Sequence, residues 1–205
     1  MQYSNPWKSI WTEPRATIAS IVTENPNRSL WWLASILGFS SLLSSFQSIM
    51  IGYHVHLIGI FILAAVIAPF WGYISISIWS YLVMVMGKLL KGEGKFHQVR
   101  AAYAWSCVPL IVNIPMWFVL AWAFGSQLFG GLTEEYMLNN RELVLLFAIL
   151  LVRLGSTVWS LVIYINALAE VQRFSVLRAI GNLLLAGSVI FLLLYSVSYL
   201  FMTMQ

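Results

Sequence analysis

Arg153 is the residue whose type and setting most demand a chemical explanation. It stands in an unbroken apolar run, Leu143 to Ala169, about ten residues from one end. At about 1.5 Å per helical residue that is about 15 Å, the depth of a bilayer midplane. A charge there costs at least about 2.5 to 3.5 kcal/mol and must face protein, water or a ligand. Ser156, Thr157, Ser160 and Tyr164 follow at helical spacing, so one face of this run is polar. On a second run Ser106, Pro109 and Asn113 share a face, with Asn113 again near the midplane, and the two stripes are expected to meet. The sequence has no aspartate, and every glutamate falls outside the apolar runs. The candidate partners of Arg153 are therefore Asn113, carbonyls freed by Pro109 or Pro115, or the phosphate of an anionic lipid, which guanidinium binds in bidentate fashion. Arg153, Asn113, Ser106, Ser156, Thr157 and Ser160 form the candidate lipid or ligand set. The plainer alternatives are a structural arginine satisfied inside a bundle, or a run whose limits are drawn in the wrong place.

Other motifs are weaker. His54 and His56 form an H-x-H with no third ligand nearby, which describes a solvated loop better than a metal site. Gly92 and Gly94 lack the preceding strand and the GK[ST] ending of a phosphate loop and read as a flexible turn. Lys88, Lys91, Lys95 and Arg100, with Phe96, suit contact with anionic headgroups at about 1 kcal/mol per basic residue, or serve simply as a topological anchor. Glu170 and Arg173 are spaced for a surface pair of little energetic weight. No Ser/His/Asp set, no paired intramembrane acids and no HExxH occur, and arginine does not titrate usefully, so neither an enzyme nor a cofactor is expected. The net charge of +4 is dispersed and no nucleic-acid motif accompanies it. The single Cys107 lies inside an apolar run, which leaves no disulfide framework.

The elements that hold these residues follow from composition. Of 205 residues 60% are apolar and 9% charged, against about 25% charged in soluble domains. An all-α integral membrane protein is expected, a bundle of five transmembrane helices preceded by interfacial amphipathic helices. Residues 1–29 are too polar to cross, yet Trp7, Ile10 and Trp11, then Ile18, Ile21 and Val22, repeat at helical spacing. Pro6, Pro14 and Pro26 each suit the first turn of a helix. With Lys8 and Arg15 on the polar side, the segment is expected in the headgroup region; a frayed tail is the alternative. Residues 30–205 form the transmembrane part. Spans are expected over Leu30 to Ile51, Leu57 to Met86, Ala101 to Phe124, Leu143 to Ala169 and Val176 to Met202, with Ser175 capping the last. The second is longer than a bilayer requires, and Pro69 before Gly72 is the expected bend; Pro109 and Pro115 mark bends in the third. An outer loop, Gly125 to Glu142, carries Glu134 and Glu135. The first apolar run begins late, behind a polar segment, so no cleavable signal peptide is expected and the first span is retained.

Charge sets the orientation. Lys8, Arg15 and Arg28 precede span one; Lys88, Lys91, Lys95 and Arg100 follow span two; Arg173 and Arg178 follow span four; only Arg141 falls on the other side. By the positive-inside rule the N-terminus is cytoplasmic and the C-terminus opposite.

The tryptophan- and proline-marked N-terminal segment, the glycine loop with Phe96, the run Ala102, Tyr103, Ala104, Trp105, Ser106, Cys107, Val108, Pro109, and the late Ser175, Val176, Leu177, Arg178, Ala179 resemble the Yip-domain (Ypt/Rab-interacting protein) family, especially its prokaryotic members. The resemblance covers most of the chain, and the alanine-tyrosine-serine-proline entry into span three is its most specific part. It implies an integral membrane protein with no established enzyme activity. Eukaryotic relatives are associated with Rab GTPases and vesicle traffic and carry long cytoplasmic extensions. This chain has none, so a bacterial cytoplasmic (inner) membrane is expected and Rab binding is not carried over. The expected partners are membrane lipids, anionic phospholipid among them, and another integral membrane protein or a second copy. A small transporter or lipid-translocating protein with a midplane polar site is the competing expectation.

Overall fold

The computed structural model describes residues 5–130 and 138–203; Glu134 and Glu135 lie outside them. Among the described residues the chain is helical, with no strand. In order the helices are α1 (Pro6–Ser9), α2 (Pro14–Glu24), α3 (Leu30–Ser48), α4 (Leu57–Leu89), α5 (Phe96–Ser106), α6 (Asn113–Phe124), α7 (Gln127–Gly130), α8 (Asn140–Gln172) and α9 (Val176–Thr203), with 3-10 turns at Ile51–Tyr53 and Val108–Val112.

Local chemistry explains the boundaries. Pro6 and Pro14 open α1 and α2, where a missing N–H is no loss. Pro26 falls instead in the turn before α3, where the Asn27 N–H donates to Asn25 Oδ1 at 3.0 Å. Asn139 caps α8 by accepting from the Arg141 and Glu142 amides at 2.9 and 3.0 Å, while Glu142 accepts the Asn139 N–H at 2.9 Å. Ser175 Oγ accepts from the Arg178 N–H at 3.4 Å at the start of α9.

Among the described residues three helices, α4, α8 and α9, are long and apolar enough to cross a membrane, and α5 with residues 108–124 is so as a pair bent by 41°. The third expected span is thus broken in the middle. Pro109 cannot donate to the carbonyl four residues back and crowds it, so the chain tightens into a 3-10 turn there. Pro115 lies just inside α6 and repeats the loss six residues later. Pro69 behaves differently: α4 stays helical through it, from Leu57 to Leu89. Packing against a neighbouring helix holds such a proline in register.

That neighbour is α3. Nineteen residues with six serines leave it short of the apolar helices, but Ser35, Ser44, Ser45 and Ser48 donate to carbonyls one turn back at 2.7 to 3.1 Å. Ala34 and Gly38 on α3 meet Ala68 and Gly72 on α4 backbone to backbone. A Cβ on Gly38 would stand 2.8 Å from the Gly72 nitrogen, and one on Gly72 would stand 2.7 Å from the Ala34 carbonyl carbon. This is the small-residue approach by which membrane helices gain van der Waals contact.

The N-terminal helices share a core with the bundle. Ile10, Ile18 and Ile21 are fully buried with Leu33, Ala102, Trp105, Ile163 and Ala167, and Trp7 packs on Trp105 with ring centroids 5.1 Å apart. The isoleucines of the expected apolar stripe are thus covered by the bundle, while Trp7 and Trp11 of the same stripe stay exposed. A second core joins α3, α4, α6, α7 and α8 at the opposite end, and a third joins α4, α5, α8 and α9 beside the basic loop. The far half of α9 stands exposed from Phe191 to Leu200.

Candidate functional site

Arg153 lies near the middle of α8, three residues from its centre. Its guanidinium carbon sits 4.7 Å from the centre of the Trp117 ring. Trp117, buried on α6, is stacked on Phe129 at 5.9 Å. The ring's negative face takes the charge where no carboxylate is at hand, at about 0.5 to 2 kcal/mol. Arg153 Nε and Nη2 are nevertheless buried without a hydrogen-bond partner, and so is Asn113 Oδ1, one turn from Trp117 on α6. Of the candidate partners, Asn113 Oδ1 makes no hydrogen bond to Arg153; the guanidinium lies instead over Trp117, at i+4 from Asn113. That spacing was available in the sequence and a cation over a ring was the missed possibility.

The hydroxyls of the expected set do not converge on this point. Ser106 Oγ donates to the Tyr103 carbonyl at 2.7 Å and Ser156 Oγ to the Arg153 carbonyl at 3.0 Å, each inside its own helix. Thr157 faces outward and Ser160 is buried on another part of the face. Serine and threonine satisfy themselves this way wherever a helix gives them no external partner.

At the basic end the residues separate into two kinds. Lys88, Lys91 and Lys95 are exposed, and none forms an ion pair among the described residues. Arg100 is engaged inside the protein: Nη1 donates to the Tyr73 hydroxyl and Nη2 to Asn27 Oδ1, both at 2.8 Å, and the guanidinium lies 5.0 Å from the Phe96 ring. It clasps α4, α5 and the turn before α3, which removes it from the group free to meet headgroups. Arg173 pairs with Glu93 at 3.3 Å rather than with Glu170, because its left-handed backbone at the end of α8 turns it toward the loop.

The glycine loop is fitted rather than loose. Gln172 is buried, and its Oε1 accepts the Gly94 N–H at 3.0 Å while its carbonyl accepts the Glu93 N–H at 3.3 Å. A Cβ on Gly87 or Gly92 would overlap the Gln172 amide, and one on Gly94 would stand 2.9 Å from Oε1. Asn182 of α9, fully buried, lies beside Gly87, and neither its amide nitrogen nor its oxygen has a partner. Sequence reading missed Gln172 and Asn182 because each looks like an ordinary polar residue at a helix end. His54 and His56 are exposed, and no group of three metal-binding side chains occurs among the described residues.

A last feature lies between the N-terminal helices and α8. Arg15 Nε donates to Asn166 Oδ1 at 3.2 Å, across the mouth of a cavity of about 650 Å³ walled by Trp11, Glu13, Trp159 and Val162.

The family model for the Yip1 domain matches residues 8–198, taking in this cavity, Trp117, Arg153 and the fitted glycine loop. The chain belongs to the Yip1 domain family. No curated protein and no solved structure matches it. Membership and the long apolar helices together make this Yip1-domain protein an integral membrane protein. The match also runs without interruption from the N-terminal helices into the bundle, in keeping with the core they share.

Proposed function

We propose that this Yip1-domain protein is a non-enzymatic, five-span protein of a bacterial cytoplasmic membrane that works by engaging anionic lipid, or a membrane partner, at its basic end. α3 completes the five crossings, four of its six serines already satisfied within the helix. The basic end faces the cytoplasm by the positive-inside rule. The observation that carries the reading is the exposure of Lys88, Lys91 and Lys95, none in an ion pair among the described residues, at the end of the bundle that also bears Arg28, Arg173 and Arg178. At about 1 kcal/mol each, three such lysines enrich anionic lipid around this end well beyond its bulk fraction. The test uses the ten tryptophans of the protein: reconstitution with brominated phosphatidylglycerol should quench their fluorescence more than brominated phosphatidylcholine does. Replacing all three lysines with glutamine should abolish the preference. An unchanged preference refutes the reading.

A second reading, lipid or solute translocation, is favoured by the broken α5–α6 pair beside Arg153, whose free donors stand at midplane depth. A scrambling or flux assay in proteoliposomes separates the two, since a protein that only binds shows no transport above empty vesicles.

A further inference from the structure

α8 has 33 residues, about 50 Å of helix against a hydrocarbon core of about 30 Å, so roughly 10 Å emerges at each end. Asn166 lies six residues from the end at Gln172, about 9 Å along the axis, which places it at the boundary between hydrocarbon and headgroups. Trp159 lies two turns deeper. The cavity between α1–α2 and α8 therefore runs from headgroup level into the acyl layer. Trp159, Val162 and Ile163 of α8 line one side of it, and Trp11, Glu13 and Arg15, at the turn between α1 and α2, line the other.

The mouth has an uncommon charge arrangement. Arg15 is oriented by Asn166 through Nε alone, and its two terminal nitrogens make no hydrogen bond among the described residues. That leaves a guanidinium edge held in place and open to a phosphate. Asn166 is itself fixed, its Nδ2 donating to the Val162 carbonyl at 2.9 Å. Glu13 is exposed at the same mouth and forms no ion pair among the described residues. Among the described residues, Arg15 and Glu13 are the only charged ones in the lining, and their charges cancel. A purely anionic headgroup would meet as much repulsion as attraction there; one that carries a phosphate and an ammonium meets both charges favourably. The two indoles, each about two-fifths exposed at 42% and 43%, suit the glycerol and upper acyl region, where amphipathic rings collect.

We infer that this cavity seats one phospholipid with an amine-bearing, zwitterionic headgroup of the phosphatidylethanolamine kind, its phosphate on Arg15, its ammonium on Glu13 and its chains along Trp159 and Val162. The inference rests on the membrane placement of the basic end given above, but it assigns a different lipid to a different place. The three lysines of the basic loop do not line the cavity, apart from which they attract lipid of net negative charge.

The experiment is native mass spectrometry of the purified full chain after exhaustive detergent washing, followed by rebinding of phosphatidylethanolamine, phosphatidylglycerol or inorganic phosphate. The wild type is expected to retain one phosphatidylethanolamine and to rebind it in preference to phosphatidylglycerol, with no binding of inorganic phosphate alone. Arg15→Gln should lower occupancy by at least about tenfold, the effect of one lost charge-assisted contact. Glu13→Gln should shift the preference toward phosphatidylglycerol. Val162→Trp fills the cavity without touching either charge and should also empty it, which decides the matter if Arg15→Gln folds poorly. Undiminished phosphatidylethanolamine in Val162→Trp, a wild-type preference for phosphatidylglycerol, or binding of inorganic phosphate alone would each overturn the assignment. The triple lysine-to-glutamine variant separates the two ideas. Loss of its anionic enrichment beside intact lipid in the cavity variants sinks the seat alone, whereas intact enrichment beside emptied cavity variants sinks the proposed function alone.

Discussion

Replacing Gly72 with alanine should separate α3 from α4, and the size of the effect follows from the geometry. The added Cβ would stand 2.7 Å from the Ala34 carbonyl carbon and 3.0 Å from the Gly38 nitrogen, and it would overlap the Ala34 oxygen outright. Carbon atoms in ordinary contact are about 3.5 to 4.0 Å apart, so the helices must part by roughly 1 Å, and a gap of that size forfeits about a quarter to a half of each surrounding contact. Overpacking costs about 1 to 3 kcal/mol in general. The obstacle here is backbone, which cannot swing aside, so the upper figure of about 3 kcal/mol applies. Alanine's helix preference returns up to about 1 kcal/mol, leaving a net loss of about 2 kcal/mol. Gly155 on α8 supplies the control: a Cβ there has nothing within 4 Å, so Gly155→Ala should be neutral or slightly stabilising. The two variants should therefore differ by about 3 kcal/mol. The assay is reversible unfolding of the purified protein in mixed micelles, with tryptophan fluorescence as the probe. Equal stability of Gly72→Ala and Gly155→Ala would refute the close approach of α3 and α4 and, with it, the reason that α4 passes Pro69 unbroken.

Arg153→Leu removes a cation–π contact of about 0.5 to 2 kcal/mol but also a midplane charge costing about 2.5 to 3.5 kcal/mol, so the variant should be more stable than wild type by about 0.5 kcal/mol or more; a loss above 1 kcal/mol in the same unfolding assay would show the arginine to be structural. At the glycine loop, Gly92→Ala should cost about 1 to 3 kcal/mol by overpacking the Gln172 amide, and Gln172→Ala about 1 to 3 kcal/mol by leaving the buried Gly94 N–H unpaired. In the double variant alanine at position 172 makes room for the new methyl, so the two losses should fall short of additivity by about 1 kcal/mol; strict additivity would contradict the fitted loop.

Much of the fold was legible because membrane helices are written in long apolar runs. The starts of α3, α4 and α9 fall where composition and capping residues put them, at Leu30, Leu57 and Val176. The interruption of the third run was legible only in part. Pro109 and Pro69 carry the same local defect, yet the α-helix is interrupted near one and continues through the other. What differs is the neighbour, a glycine- and alanine-faced α3 beside Pro69, and propensity within one helix contains no term for a neighbour.

The candidate site divides in the same way. Arg153 was found from one number, its depth, since the energy of a charge in hydrocarbon depends on position along the helix and that is read directly from sequence. Its partner was not found, because which face of α6 turns toward α8 depends on the 41° bend that separates α6 from α5. Arg100 and Lys95 look alike in a charge count, and only the approach of Tyr73 and Asn27 makes one a clasp and leaves the other exposed.

The sequence by itself determined that this is an apolar, helical membrane protein with its basic residues gathered between particular runs, since both properties are sums over local residues. The tertiary structure alone decided that the N-terminal helices cover α5 and α8, that Gln172 fills the glycine loop, and that Arg15, Glu13 and Trp159 surround one cavity. Each of these depends on contacts between residues distant in the chain, more than 140 positions apart for Arg15 and Asn166, and no local pattern records which distant surface a side chain will meet.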